Sequence, residues 1–209
     1  MITLRATERF GKPVVFAACC VPLIWLALQV FEVGSLGLGP NPVDEIQNSL
    51  GIWGLRMICA TLAITPLSWA IGPLLIRFRR MLGLFAFTYC GLHFLNYLVL
   101  DQTFNLAEII EDVIERPFIT IGMFGVLSMV PLAITSTNAW RRRLGRNWIR
   151  LHRLVYLTGI AAGWHFYWQV KKDLTEPLIY CSIVAILLGA RIVRSNRRKR
   201  RAIDQESVA

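Results

Sequence analysis

The sequence predicts an all-α integral membrane bundle of six transmembrane helices with both termini in the cytoplasm. Composition, the length of the apolar runs and the placement of positive charge carry that reading. Of 209 residues, 55% are apolar and only 17% are charged, whereas roughly a quarter of a soluble domain is charged. Mean hydropathy is +0.51. A chain of this composition buries too much apolar surface to be disordered.

A helix that crosses about 30 Å of hydrocarbon needs about 20 mainly apolar residues. Six runs of that order occur: Val14 to Val33, Ile52 to Ile71, Leu82 to Leu100, Phe118 to Thr135, Ile149 to Val170 and Leu178 to Val193. Barrel strands would alternate polar and apolar residues, and these runs are continuous, so the spans are helical. The first run follows Arg5, Arg9 and Lys12, as the core of a signal peptide would. It is longer than such a core and no small-x-small cleavage pattern follows, so it is expected to remain as the first span.

Lys and Arg outnumber Asp and Glu by 23 to 13, for a net charge of +10. Basic residues near span ends stay in the cytoplasm, and here they alternate cleanly. One side gathers the N-terminal group, Arg77 to Arg80, Arg141 to Arg153 and Arg191 to Arg201, 19 basic groups against three acids. The opposite side carries Arg116, Lys171 and Lys172 against ten acids. A multi-pass membrane protein with both termini in the cytoplasm is expected.

The loops from Gly34 to Gly51 and from Asp101 to Arg116 face outward in this topology. In the second, Ile109, Ile110, Val113 and Ile114 recur at helical spacing and predict a short amphipathic surface helix. Residues 1–193 form the membrane domain, and 194–209 a polar, basic tail. The tail suits anionic lipid headgroups better than nucleic acid. Cys19, Cys20, Cys59, Cys90 and Cys181 all fall in apolar runs and read as buried thiols rather than a disulfide framework.

Three histidines, His93, His152 and His165, lie within predicted spans. An ionisable group at such depth is costly and marks a functional site by default, although a helix–helix hydrogen bond also accounts for an isolated one. His152 and His165 are 13 residues apart, about 20 Å of helical rise, and cannot share one small ion. A haem needs only one or two axial ligands and an apolar cavity. From the cytoplasmic ends of their spans, His93 lies about 17 Å deep, His165 about 24 Å and His152 about 5 Å. His93 and His165 are the closest pair. On an ideal helix His152 and His165 would point about 140° apart, so two groups in one cavity would require a distortion, for which Gly159 and Gly163 offer a location.

The stretch Arg79-Arg80-Met81-Leu82-Gly83-Leu84 leading to Leu92-His93 is recognisable, as are Leu132-Ala133-Ile134-Thr135-Ser136-Thr137 and Arg143-Leu144-Gly145. With Trp148, Leu151-His152-Arg153-Leu154-Val155-Tyr156, His165, Thr65-Pro66-Leu67, Arg116-Pro117 and Glu176-Pro177-Leu178-Ile179-Tyr180, they make the chain resemble the MsrQ family. These are haem-binding membrane subunits of bacterial protein-methionine-sulfoxide reductase systems. They sit in the ferric reductase-like transmembrane superfamily beside the NADPH oxidases.

The resemblance implies a cytochrome of the bacterial inner membrane with b-type haem and FMN. Electrons would come from the quinone pool or a cytoplasmic flavin reductase. They would pass to a periplasmic, MsrP-like molybdopterin reductase that repairs methionine sulfoxide. No catalytic residue is then expected in this chain. His93 and His165 match the outer haem pair of the oxidases, and His152 matches one ligand of their inner haem. Where the oxidase pattern has the fourth histidine, this chain has Arg80 or Arg79. One haem is therefore the expected count, with a second left open.

Arg56 is a candidate partner for haem propionates, or else a snorkelling side chain. Arg150 and Arg153 bracket His152 and could bind propionates or a flavin phosphate, or act as cytoplasmic anchors. Phe166, Tyr167, Trp164 and Trp168 around His165 suit an interfacial aromatic belt. Other readings are a stand-alone ferric or quinone reductase, a small six-helix transporter and a cofactor-free scaffold. Against the transporter, Pro22, Pro66 and Pro131 interrupt spans, yet midplane carboxylates and inverted halves are missing.

Overall fold

The structure, a computed structural model, describes residues 10–206. Arg5, Arg9 and the last three residues of the tail lie outside the described residues. Among the described residues every regular element is helical. The principal helices are α1 (Lys12–Val30), α2 (Pro42–Ala70), α3 (Arg79–Asn96), α4 (Leu106–Glu115), α5 (Pro117–Ile134), α6 (Asn138–Leu144), α7 (Arg146–Leu151), α8 (Leu154–Gln169) and α9 (Thr175–Glu206). A 3₁₀ turn, Pro73–Phe78, leads into α3, and a π turn, Tyr97–Asp101, leaves it.

Five helical stretches are long and apolar enough to cross a membrane: Lys12–Val30, Pro42–Ala70, Pro73–Asp101, Pro117–Ile134 and Thr175–Gln205. The expected fifth span in chain order departs from its predicted form. Instead of one helix from Ile149 to Val170, the chain makes α7, breaks at His152 and Arg153, and resumes as α8. With 16 residues, α8 rises about 24 Å, short of the hydrocarbon thickness. At the break, the amides of Arg153, Val155 and Tyr156 donate three residues back rather than four, a 3₁₀ tightening. His152 Nδ1 bonds the Trp148 carbonyl at 3.1 Å, and the two rings stack at 3.8 Å.

That break corrects the expectation for Gly159 and Gly163, which sit in the regular part of α8. A Cβ on Gly159 would approach Leu62 Cδ1 to 2.9 Å, and one on Gly163 would meet Cys181 Sγ at 3.4 Å. These glycines let α8 close on α2 and α9, as small residues do between membrane helices.

Helix α2 also differs from its predicted extent, since it begins at Pro42 rather than Ile52. Proline at the first position and Asp44 and Glu45 in the first turn suit a helix N-terminus. The polar first turns lowered the apolar signal without breaking the helix. Likewise α9 continues through the basic tail to Glu206, where Arg, Lys, Ala and Gln are good helix formers. Arg194 lies 4.4 Å above the Trp69 ring. The amphipathic helix expected between Asp101 and Arg116 is α4, capped by the Asn105 side chain.

Leu62, Ile58, Ala86 and Tyr89 are almost fully buried where α2 and α3 meet. The Tyr89 hydroxyl donates to the Cys19 carbonyl at 2.8 Å and ties α3 to α1. By contrast, α1 leaves Val14, Phe16, Val21, Ile24 and Trp25 exposed. Five apolar helices with such outward faces describe a membrane protein. All five cysteines are free thiols.

Candidate functional site

Four helices, α2, α3, α5 and α8, enclose the space into which His93 and His165 project. The two imidazoles come from α3 and α8, 72 residues apart in sequence, and face each other with ring centroids 6.1 Å apart and planes at 81°. His93 Nδ1 bonds the Gln47 carbonyl of α2 at 2.9 Å. His165 Nδ1 bonds the Phe118 carbonyl of α5 at 2.7 Å. A carbonyl only accepts, so each Nδ1 carries the proton and each Nε2 keeps its lone pair. Metal-ligating histidines are oriented in this way.

The seat of each ring is built by one local device used twice. Gln47 and Gly51 are four residues apart on α2, as are Phe118 and Gly122 on α5, so each carbonyl lies one turn from a glycine on the same face. A Cβ on Gly51 would stand 3.0 Å from His93 Cε1, and one on Gly122 only 2.7 Å from His165 Nδ1. Neither glycine stood out in the sequence. The signal lay in the equal four-residue offset, visible only once the acceptor carbonyls are known.

A metal–imidazole bond of about 2.0 Å on each side, with about 1.1 Å from nitrogen to ring centre, separates opposed imidazole centroids by roughly 6.2 Å. The observed separation of 6.1 Å is of that length. Among the described residues no group of three or more His, Cys, Asp or Glu side chains could hold a metal. An ion here must therefore bring most of its own coordination. The surrounding cavity, about 290 Å³, has apolar walls that include Ile52, Leu55, Met123 and Val126. Its rim carries Asp44, Asp101 and Arg116.

A second cavity, of about 590 Å³, lies at the other end of the same helices, beside His152. Arg79, Arg80, Arg141 and Arg153 line it, with no acidic residue among its lining residues. His152 Nε2 is buried without a hydrogen-bond partner. Trp148, stacked on His152, is fixed by Nε1 donating to the Thr135 carbonyl at 2.9 Å. Ile58, Met129 and Thr158 line both cavities and form the wall between them. Arg191 projects from α9 toward this end, with its guanidinium 5.6 Å from the Tyr156 ring and bonded to the Leu62 carbonyl.

The structure thus brings His93 and His165 together and sets His152 apart with Arg153. Arg56 lies elsewhere: its Nε donates to the Tyr180 hydroxyl at 2.9 Å, and its guanidinium stacks 4.6 Å from Trp53. It lines neither cavity. Arg150 is exposed and also lines neither. Trp164 and Trp168 pack edge to face and are exposed, whereas Phe166 lines the His93–His165 cavity.

Fold and site together define a helical membrane domain with a pair of imidazoles opposed between its helices. The chain belongs to the family described as ferric reductase like transmembrane component, which matches residues 50–163, and within it to the MsrQ proteins. It is 48% identical over 186 residues to the protein-methionine-sulfoxide reductase heme-binding subunit MsrQ of Xanthomonas axonopodis pv. citri, covering 87% of this chain and 85% of that relative. It is similar to the protein of the same name from Rhodospirillum rubrum, at 45% identity over 199 residues and 94% of each chain. No solved structure matches significantly.

Proposed function

We propose that this chain is the haem b electron-transfer subunit of a protein-methionine-sulfoxide reductase system. The opposed, backbone-anchored imidazoles of His93 and His165 carry the proposal. His93 and His165 would hold the haem iron through Nε2, and the apolar walls would take its ring. When bound, haem supplies reversible one-electron chemistry.

The chain's own residues do the rest. The Gln47 and Phe118 carbonyls accept from Nδ1 of the two rings and orient them, Gly51 and Gly122 leave space for the imidazoles, and the apolar walls exclude water. Phosphate or carboxylate groups of a donor suit the arginine-lined cavity beside His152, where Arg79, Arg80 and Arg153 supply positive charge. That cavity is the proposed point of electron uptake from the quinone pool or a cytoplasmic flavin reductase, and FMN is a fitting occupant. The sequence distribution of basic residues supports placing this end in the cytoplasm of a bacterial inner membrane. The His93–His165 end then faces the periplasm and an MsrP-like molybdopterin partner. That partner consumes two electrons and two protons for each sulfoxide, leaving methionine and water.

The test is a reduced-minus-oxidised spectrum of the purified chain from haem-replete cells. A b-type spectrum that disappears in His93→Ala and in His165→Ala is expected. A colourless wild-type preparation would falsify the reading.

A further inference from the structure

We propose that Arg116, pinned by Asp112, is the carboxylate anchor of the His93–His165 cavity and fixes how a haem sits there. This rests on the haem reading above. Arg116 is the only arginine or lysine among the residues that line this cavity. A haem in it must direct two carboxylates away from apolar walls, and Asp44 and Asp101 on the same rim repel them. Arg116 alone offers attraction.

The surroundings hold Arg116 for that purpose. It occupies the joint between α4 and α5 and precedes Pro117, which keeps its backbone out of the helical region, at φ −117° and ψ 83°. Its Nε lies 3.2 Å from Asp112 Oδ1. Asp112 is itself buried, and its Oδ2 accepts from the Tyr97 hydroxyl at 3.1 Å and from Gln102 Nε2 at 3.0 Å. The carboxylate is fixed from three sides and holds Arg116 by its Nε. The Arg116 side chain is 56% exposed and lines the cavity, which leaves its guanidinium within reach of a ligand carboxylate. Phe118, two residues on, supplies the carbonyl that orients His165. The ligand-orienting contact and the anchor therefore share one short segment. An isolated i, i+4 ion pair at the surface would need neither the buried Asp112 nor its two further donors.

The experiment compares wild type, Arg116→Gln and Asp112→Asn as full-length chains purified without haem. Each is reconstituted with haem b or with haem b dimethyl ester, whose carboxylates are blocked. Arg116→Gln should release haem b about tenfold faster. It should also shift the ferric-to-ferrous balance about tenfold toward ferric iron, or 59 mV for a one-electron couple, because a nearby cation is lost. Wild type should hold the ester no better than Arg116→Gln holds haem b, and Arg116→Gln should not weaken ester binding further. Asp112→Asn should give a smaller loss of the same kind.

The anchor is overturned if Arg116→Gln retains haem b like wild type, or if it weakens haem b and the ester by the same factor. Either result, with an intact wild-type b-type spectrum, leaves the haem reading standing. A wild-type chain that takes up neither compound removes both.

Discussion

The two cavities share a wall but are built on opposite principles. Around His93 and His165 every element of order is directional: two backbone carbonyls, two glycine seats and opposed rings 6.1 Å apart. Beside His152 the cavity is larger, holds one imidazole and is dominated by uncompensated arginine charge. Directional bonds fix one geometry, whereas a field of cations attracts an anionic group without dictating its pose. Under the proposed function, the first arrangement suits a permanently ligated centre, and the second a site where donors come and go.

The sharpest break in this comparison is between histidines. His93→Ala or His165→Ala should abolish the b-type absorbance, while His152→Ala keeps most of it and slows reduction by a donor added at the basic end. Stopped-flow reduction beside a pyridine haemochrome assay separates the two effects. Complete haem loss in His152→Ala would dissolve the distinction between the cavities.

Glycine substitutions come next in size. Gly122→Ala pushes a methyl into His165 Nδ1 and disturbs its bond to Phe118. Loss of an outer-shell orienting contact weakens metal binding by about 10- to 100-fold, so haem retention should fall by that order. Gly91→Ala is the control, because its Cβ meets nothing within 4 Å. In a helix it should be neutral or stabilise by up to about 1 kcal/mol. Equal haem loss in both variants would show that the seat is not specific.

A moderate effect is expected from Arg153→Gln. Haem content should stay at the wild-type level while the reduction rate by an anionic donor falls and loses part of its salt dependence. A rate unchanged from low to high salt in both proteins would remove charge as the principle of the His152 cavity.

The smallest effect belongs to the shared wall. Thr158 is buried, and its Oγ1 lies 2.7 Å from Ser128 Oγ across α5 and α8. Such hydrogen bonds between membrane helices contribute about 0.6 kcal/mol. Thr158→Val should therefore lower unfolding stability in detergent by about that amount, with the spectrum unchanged. A large spectral change would mean that the wall shapes the first cavity.

Much of this was legible from the chain. Rise per residue is nearly invariant, so counting depth from the basic ends brought His93 and His165 to similar levels, and the structure faces their rings across one cavity. Periodicity alone placed α4, since Ile109, Ile110, Val113 and Ile114 mark one face. What escaped depends on contacts between distant segments. The roles of Gly51 and Gly122 follow from which helix stands opposite each imidazole, and no local pattern encodes that. The break at His152 escaped because Ile149 and Leu151 before it and Leu154 and Val155 after it read as parts of one span, while the Trp148 ring and carbonyl engage its side chain. Arg56 drew attention as a basic residue inside a span, yet its neighbours are Trp53 and Tyr180. Arg116 was visible as a basic residue on the outer side and as half of an Arg-Pro pair, and its tie to Asp112 emerges only in the fold.

The partition of Ile58, Met129 and Thr158 has a consequence for transport. Electrons tunnel through a thin layer of close-packed hydrocarbon, whereas protons must hop along unbroken files of water or polar side chains. Two of the three residues offer no foothold for such a file, and the one hydroxyl is already turned to its neighbours. Under the proposed electron-transfer function, the bundle would act as a wire with an insulating plug against acid leakage. Each charge would then cross unaccompanied, and the reaction that consumes it would draw its hydrogen ions from the receiving compartment.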